Sequence, residues 1–439
     1  GIASWLVNEL GNRPSLTRLD TTWTHDAPDR RETWRVGDAI SSAGSWGRSV
    51  RFGGIQFSTN FATQPSFATF APQSVVGQAV LPSTVDVFVN NALVSRQTVP
   101  PGPFSIGNLP VVSGAGEVRL VVRDMLGREQ LVSQPFYASQ SLLRQGLSSF
   151  SYEAGYVRTD FGQHSDRYGP WLATGSYRHG VSDRLTAEVH AQAMRTLVTA
   201  GLGGDYLLAQ LGTVSAYLAG SHRPTAHGRL AQLGMEHLTP TWGFGAQMQN
   251  TSSGFAQVGD DDLHPGPTRS RSANLSHTLG GNGSVGMAWI TQTRPQQPDV
   301  RLVSLNYGVG IGDSATLNVS ALANLSADKS TQLAIMLSLP LGAGVSLDAR
   351  AQPVHRHGSG TQTDLSATVQ RNLPGGSGYG YRLQQRNAPS TEGMLALQND
   401  VGSYTAGIYQ DTHTTATQLS ASGGLALLGG RVFASRRID

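Results

Sequence analysis

The stretch Leu333-Ala-Ile-Met-Leu-Ser-Leu-Pro-Leu-Gly-Ala-Gly-Val-Ser-Leu-Asp-Ala-Arg350 decides the fold. Leu333, Ile335, Leu337 and Leu339 alternate with Ala334, Met336 and Ser338, and the run breaks at Pro340–Gly344. Val345, Leu347 and Ala349 resume it against Ser346, Asp348 and Arg350. Period two with a Gly- and Pro-containing break is a hairpin whose strands each carry one apolar face. The texture recurs outward from there. Val303, Leu305, Tyr307 and Val309 alternate with Ser304, Asn306 and Gly308; Leu317, Val319 and Ala321 follow a break at Gly310–Asp313. Leu365, Ala367 and Val369 repeat the pattern, as do Tyr379, Tyr381 and Leu383.

Composition agrees. Gly accounts for 53 of 439 residues, which disfavours helices because each helical Gly costs about 1 kcal/mol. There is no cysteine, so a disulfide framework and a Cys-ligated zinc site are excluded. The net charge is +3, from a slim Arg excess with a single lysine, Lys329, and no basic run suggests nucleic-acid binding. No apolar run is long enough for a transmembrane helix. Gly1-Ile-Ala-Ser-Trp5 lacks the charged start and cleavage site of a signal peptide. The expectation is a cytosolic chain or a segment whose natural N-terminus is missing.

Strands recur from residue 147 to the end with no helical pattern or linker between them. Their off-face residues are mostly Ser, Thr, Asn, Gln, Gly and Arg. A sheet this large curls or closes, and closure removes its edges. A polar inner face and an apolar outer face then make an all-β, large antiparallel transmembrane barrel. At roughly 16 residues per strand and turn, 147–439 gives about 18 strands. Leu16–Thr24, Thr33–Ile40 and Val50–Phe61 read as further strands. The total is about 22–24, wide enough to require a channel or a plug.

Residues 81–137 differ. Val85, Val87 and Val89, then Val118, Leu120 and Val122, form short alternating strands separated by Asn90-Asn91 and Asp124–Gly127 turns. This is a small β-sandwich inserted into the barrel. Pro100-Pro101-Gly102-Pro103 makes a rigid crossover, with Phe104 expected to anchor it in the sandwich core and a direct contact with the barrel wall or a passing partner as the alternative.

No catalytic, cofactor or metal constellation stands out. His355 and His357 share a strand face without a third ligand, and a solvated loop is the better reading. Asp260-Asp-Asp262 with His264 lacks the spacing of a calcium loop; an exposed loop is expected, with weak divalent-ion binding as an alternative. There is no phosphate loop and no nucleophile elbow. Trp5, Trp23, Trp34, Trp171, Trp242 and Trp289 are candidates for interfacial girdles or plain lipid contacts.

Several ordered motifs resemble outer-membrane ushers of the chaperone–usher pilus pathway. They include Arg35-Val-Gly-Asp-Ala39, Val50-Arg-Phe-Gly-Gly54, Val99–Phe104, Gln134-Pro-Phe-Tyr137, Leu142–Leu147 and Tyr152-Glu-Ala-Gly155. Gln370–Pro374, Gly378–Arg382, Ser420–Gly424 and Phe433-Ala-Ser435 continue the set. Gly37, Asp38, Arg51, Gly53, Gly54, Glu153 and Gly155 are its barrel positions. The resemblance implies a pore of the bacterial outer membrane that passes folded pilus subunits, delivered by a periplasmic chaperone, and serves as the assembly platform. It implies barrel strands over 1–80, a plug over 81–137 that gates the pore, and the remaining barrel over 138–439. It also implies that the first strand or so and the N- and C-terminal periplasmic domains are absent. Hinges are expected at 72–80 and 138–147, through Pro72, Gly77, Ser139, Leu142 and Gly146. Expected partners are pilus subunits with their chaperone and membrane lipid, with a homodimer left open. The competing readings are a general porin and a surface β-protein unrelated to pili.

Overall fold

The computed structural model describes the chain except residues 9–14, 71–72, 80–82, 90–91, 100–101, 110–113, 125–128, 261–265, 313, 357, 359, 388–389, 429 and 437–439. Four strands come first: β1 (Ile2–Asn8), β2 (Ser15–Ala27), β3 (Glu32–Ile40) and β4 (Arg51–Thr59). Six follow in the inserted segment: β5 (Gln73–Ala79), β6 (Ser83–Val89), β7 (Ala92–Val99), β8 (Gly102–Leu109), β9 (Gly114–Asp124) and β10 (Glu129–Ala138). Then come β11 (Ser148–Arg158), β12 (Tyr168–Ser182), β13 (Leu185–Met194), β14 (Leu197–Leu207), β15 (Thr213–Arg223), β16 (Ala226–Leu238) and β17 (Trp242–Thr251). The series continues with β18 (Arg269–Thr278), β19 (Ser284–Thr293), β20 (Val300–Ile311), β21 (Ala315–Asn324), β22 (Ser330–Gly342) and β23 (Val345–Arg356). It ends with β24 (Gly360–Arg371), β25 (Gly378–Arg386), β26 (Ser390–Gln398), β27 (Gly402–Gln410), β28 (Thr415–Leu428) and β29 (Arg431–Ser435).

One 23-stranded antiparallel sheet takes in β1–β4 and β11–β29. Neighbours in sequence pair with each other, and β4 pairs with β11 across the insertion, with Gly54 opposite Gly155. β1 and β28 lie in contact, with no ladder between them among the described residues, so the sheet curls until its ends meet. The strand number falls within the expected range. Register puts the apolar residues on one face: Ile335 is opposite Ala351 and Leu337 opposite Ala349. That face is open, with Leu202, Leu218 and Leu305 all at least half exposed. Apolar side chains directed outward from a curled sheet whose inner face is polar are what a bilayer-embedded barrel presents. Trp23, Trp34, Trp171, Trp242 and Trp289 all lie exposed, and the side chain of Trp5 is outside the described set.

Because the sheet is antiparallel, its connections fall on two rims. Segments 41–50, 159–167 and 252–268 share one, called upper here. The insertion between β4 and β11 leaves from the other, with the short connections 183–184, 208–212 and 239–241.

The insertion is a sandwich of a four-stranded sheet, in the order β10-β9-β6-β7, and a two-stranded sheet, β5-β8. Its core holds Val85, Val87, Val89, Val99, Ile106, Val118, Leu120, Val122, Phe136 and Ala138, with Phe104 packed against it. Two expectations are corrected in detail. The sandwich begins at Gln73 rather than 81, because the β-branched pair Val75-Val76 extends the chain into β5. Gly77 therefore stands in a strand opposite Phe104, not in a hinge. The Pro-rich crossover is also shorter than expected. Gly102, Pro103 and Phe104 already belong to β8, where Pro103 is tolerated because a two-stranded sheet consists only of edges. Pro72, Pro100 and Pro101, and the turns at 90–91 and 125–128, lie outside the described residues.

Candidate functional site

The inner face of the first half of the wall is not open. Along β13, Thr186, Glu188, His190 and Gln192 point inward at alternate positions, and each is almost wholly buried. Glu188, His190 and Gln192 are covered by segment 41–50, which folds into the lumen from the upper rim, and Thr186 by the connector after the insertion. Gly44 permits this with φ at +56°, and a Cβ there would stand 2.6 Å from the Glu188 carboxylate. The backbone N–H of Ser45 donates to Glu188 (2.7 Å) and that of Ser42 to Glu153 (3.1 Å). Gln232 on β16 donates to the Ser45 carbonyl (3.1 Å). Trp46 is 3% exposed. Its ring meets His190 edge-on at 5.0 Å and packs with Tyr217, Ala219 and Leu230.

Segment 252–260 enters beside it. The Ala256 N–H donates to Ser221 (3.0 Å), the Val258 N–H to Gln192 (3.0 Å), and Thr199 donates to the Ala256 carbonyl (2.8 Å). Phe255 packs on the Trp46 cluster. Arg48 and Asp260 pair at 2.7 Å, which joins the two segments directly. Asp260 is thus engaged, while 261–265, His264 included, lie outside the described residues. His355 shares a hydrogen bond with Thr361 (3.0 Å), and His357 is outside the described residues.

A third group connects this seal to the insertion. The Arg178 guanidinium lies 3.2 Å from Glu188 and 2.8 Å from Asp205, and it donates to the Ser141 carbonyl at 2.6 Å. Ser141 lies in the exit connector 139–147, which returns the chain from β10 to the wall. A polar cavity of about 450 Å³ lies between Ser45, Ser141, Arg178, Asp205 and Tyr217. The connector is fastened elsewhere too. The Leu143 N–H donates to Thr186 (2.8 Å), the Gln145 N–H to Asp183 (3.0 Å) and the Gly146 N–H to the Gly180 carbonyl (2.8 Å). Ser139 and Leu142 are buried. The residues expected to form the second hinge thus form a bonded strap that must be loosened before it can flex. The sandwich itself touches the wall at β16 through β9, and at the 209–211 turn through β10.

All seven motif positions fall on the adjacent strands β3, β4 and β11. Gly37 pairs with Gly54, Asp38 with Gly53, and Gln56 with Glu153. A Cβ on Gly54 or Gly155 would run into the opposite backbone, so these glycines let two strands approach closely. Beyond Gly37 (φ +117°) β3 parts from β2, whose described pairing with it covers only Thr22–Ala27. A polar knot fills the resulting split. Asp38 accepts from Tyr168 (2.7 Å) and the Thr21 N–H (2.8 Å), and pairs with Arg158 (3.0 Å) and Arg18. Arg158 is completely buried and also donates to the Arg18 carbonyl (2.7 Å). Arg51 pairs with Asp20 at 3.2 Å.

The lumen-facing roles of Trp46, Arg178, Glu188, His190 and Gln192 were not anticipated from sequence. A signal did exist. Thr186, Glu188, His190 and Gln192 form a polar row at period two, more strongly hydrogen-bonding than the Ser and Asn rows of the later strands.

A wide antiparallel barrel, apolar outside and polar within, with segments folded into its lumen and a small domain inserted between two strands, is an obstructed membrane pore. The sequence model of the outer membrane usher protein family matches residues 10–231, and the chain belongs to that family of the bacterial outer membrane. It is 27% identical to the outer membrane usher protein FimC of Bordetella pertussis, over 98% of this chain and 52% of that one. It is 25% identical to the usher AfaC of Escherichia coli, over 73% of this chain and 39% of that one. The chain therefore spans about half, or less, of the length of these curated relatives. Its fold is similar to the P pilus usher PapC translocation pore (TM-score 0.54, 18% identity, 95% and 88% of the two chains covered). It is also similar to a chain in the E. coli tip assembly intermediate PapC-PapD-PapK-PapG (TM-score 0.66, 17% identity, 99% and 57% covered).

Proposed function

We propose that this chain is the gated translocation pore of an usher: folded pilus subunits, brought by a periplasmic chaperone, pass through its lumen, and the 73–138 sandwich is the gate. It acts as a conduit and assembly platform, not as an enzyme. The carrying observation is the seal of segments 41–50 and 252–260 on the polar wall, tied through Glu188 and Arg178 to the connector of an inserted domain. A plain diffusion porin has no use for such a closure. The solved relative that shares this fold stands in an assembly intermediate with PapD, PapK and PapG, which supports subunits and chaperone as partners.

The seal is built to reverse. Its bonds are mostly single hydrogen bonds, individually worth about 0.5–1.5 kcal/mol, or about 1.5–3 where a charge takes part. Binding of a chaperone–subunit complex elsewhere on the full protein can outweigh a few of these. The bare inner wall of the later strands offers Ser, Thr, Asn and Gln without a continuous apolar patch, so a passing subunit finds little to adhere to.

The test is permeability. Bacteria carrying the full-length protein with 73–138 replaced by a short linker should become sensitive to bulky antibiotics that the intact protein excludes. Unchanged resistance, with the variant present in the membrane, refutes the gate.

A further inference from the structure

The outer face of β16–β20 has an uneven charge distribution. Its arginines, Arg229, Arg269, Arg271 and Arg301, all lie in the upper-rim halves of their strands, and the lower halves of these strands contain no arginine. Register directs all four outward. Arg229 is in step with Leu233, Arg271 with Leu275 and Arg301 with Leu305, each an exposed apolar residue of the outer face. Arg271 lies opposite Thr291, and Thr291 opposite Arg301, so the two guanidiniums flank one hydroxyl on adjacent strands. Arg269 is opposite Thr293 on the same ladder. One turn of pleat below, Trp289 and Met287 begin the apolar belt. Arg301 has one weak partner, Asp299 at 3.2 Å, with both side chains largely exposed. Arg229, Arg269 and Arg271 are exposed and make no ion pair among the described residues.

Among the described residues these guanidiniums face no carboxylate beyond the weak Arg301–Asp299 pair, and a guanidinium at the edge of a lipid-facing surface attracts an anion. Arginine keeps its stem on the apolar belt while the planar fork reaches the headgroup layer, and it grips phosphate oxygens in pairs. The inserted domain aside, the first half of the wall carries only short turns on the lower rim, among them 183–184, 208–212 and 239–241, whereas 41–50, 159–167 and 252–268 lie on the upper. This marks the upper rim as the external one, since barrels of this type carry short turns on the inner side. We infer that the outer upper-rim face of β18–β20, centred on Arg271, Thr291 and Arg301, binds the phosphate of an acylated headgroup, a phosphorylated glycolipid of the external leaflet. This rests on the barrel lying in the outer membrane with that rim outward, but not on what passes through the lumen.

Native mass spectrometry of the purified full chain in detergent tests it, with bis-phosphorylated lipid A, dephosphorylated lipid A and inorganic phosphate as probes. The phosphorylated lipid should be retained, and retention should fall with added salt. Since each guanidinium near an anionic lipid surface contributes about fivefold, Arg269→Gln/Arg271→Gln/Arg301→Gln should weaken binding by about a hundredfold and Arg271→Gln alone by about fivefold. Arg350→Gln, on the lumen side, should bind as the parent does. Equal retention of the dephosphorylated lipid, or of the phosphorylated lipid by the triple variant, overturns the inference. Inorganic phosphate binding as tightly as the lipid assigns the site to free phosphate and also overturns it. Heat-modifiable migration confirms that each variant keeps its barrel. The assay does not read translocation, so its failure leaves the gate untouched.

Discussion

The two halves of the wall are made alike and finished differently. In β11–β16 most inward residues are buried under folded-in segments: Glu153, Glu188, His190, Gln192 and Thr199 are all nearly inaccessible. In β18–β28 the inward residues, such as Asn274, Asn306 and Thr405, remain open to the lumen, apart from a few like Thr368 and Gln384. Both halves obey the same alternation and the same ladder. The difference comes from the upper-rim connections, two of which turn inward over the first half. A barrel wall can therefore be uniform while the pore it encloses is sealed from one side, by segments that lie outside the ladder.

Substitution should expose this asymmetry. The largest effect is expected at the indole pocket. Trp46→Ala removes a buried aromatic, at a cost of about 3–5 kcal/mol to the local seal, and should raise single-channel conductance in planar bilayers. Gly201→Leu should act similarly, because a Cβ at Gly201 stands 2.8 Å from the Trp46 ring, besides crowding Ala219 and the Leu218 carbonyl of β15 at 2.6 and 2.7 Å. Leucine introduced at Ser320, on the open wall, should leave conductance near the parent value. If both halves respond equally, the contrast between them is wrong.

Glu188→Gln comes next. It removes the charge that receives the Ser45 N–H and faces Arg178, at a cost of about 1.5–3 kcal/mol to the seal. Hydrogen exchange should accelerate at Ser45 and also across the connector at 139–147, because Arg178 loses one of its anchors. Acceleration confined to 41–50 would mean that the connector is held independently.

Asn318→Ala, on the bare half, should change stability by no more than about 0.5 kcal/mol in thermal melting. The smallest effect belongs to the sandwich. Its Asp86–Arg96 pair, in which the guanidinium hydrogen bonds hold the carboxyl below its ordinary range, is closed on one side only, since Arg96 is largely exposed. A depressed carboxylate contributes stability above its unfolded value and loses it as pH falls through its lowered native value. Acid titration of the parent should thus show a small loss of sandwich stability that Asp86→Asn lacks, with the barrel transition unaffected.

Much of this could be read from residues 333–350 outward. Period-two alternation fixes which face of each strand is apolar whatever its neighbours do, because side chains in an extended chain alternate strictly. Repeated over most of the chain, it dictates a large curled sheet with a greasy exterior, and the valine-rich alternation near 85 and 120 marks a separate core. The motif glycines were legible as a set, although their reason appeared only when Gly54 met Gly155 across a ladder. The start of the sandwich was misplaced because Val75-Val76 is too short a β-branched run to stand out from a linker.

What the chain alone could not dictate is where its loops go. Gly44-Ser-Trp-Gly47 reads as a turn, and locally it is one. Only when β13, β15 and β16 stand side by side do Glu188, Tyr217 and Gln232 converge from distant parts of the sequence on one spot that Ser45 and Trp46 can fill. Alternation is a property of neighbours in the chain, whereas a lumen is enclosed by residues that sequence keeps far apart. The first decided the wall of this protein, and the second decided that the wall is shut.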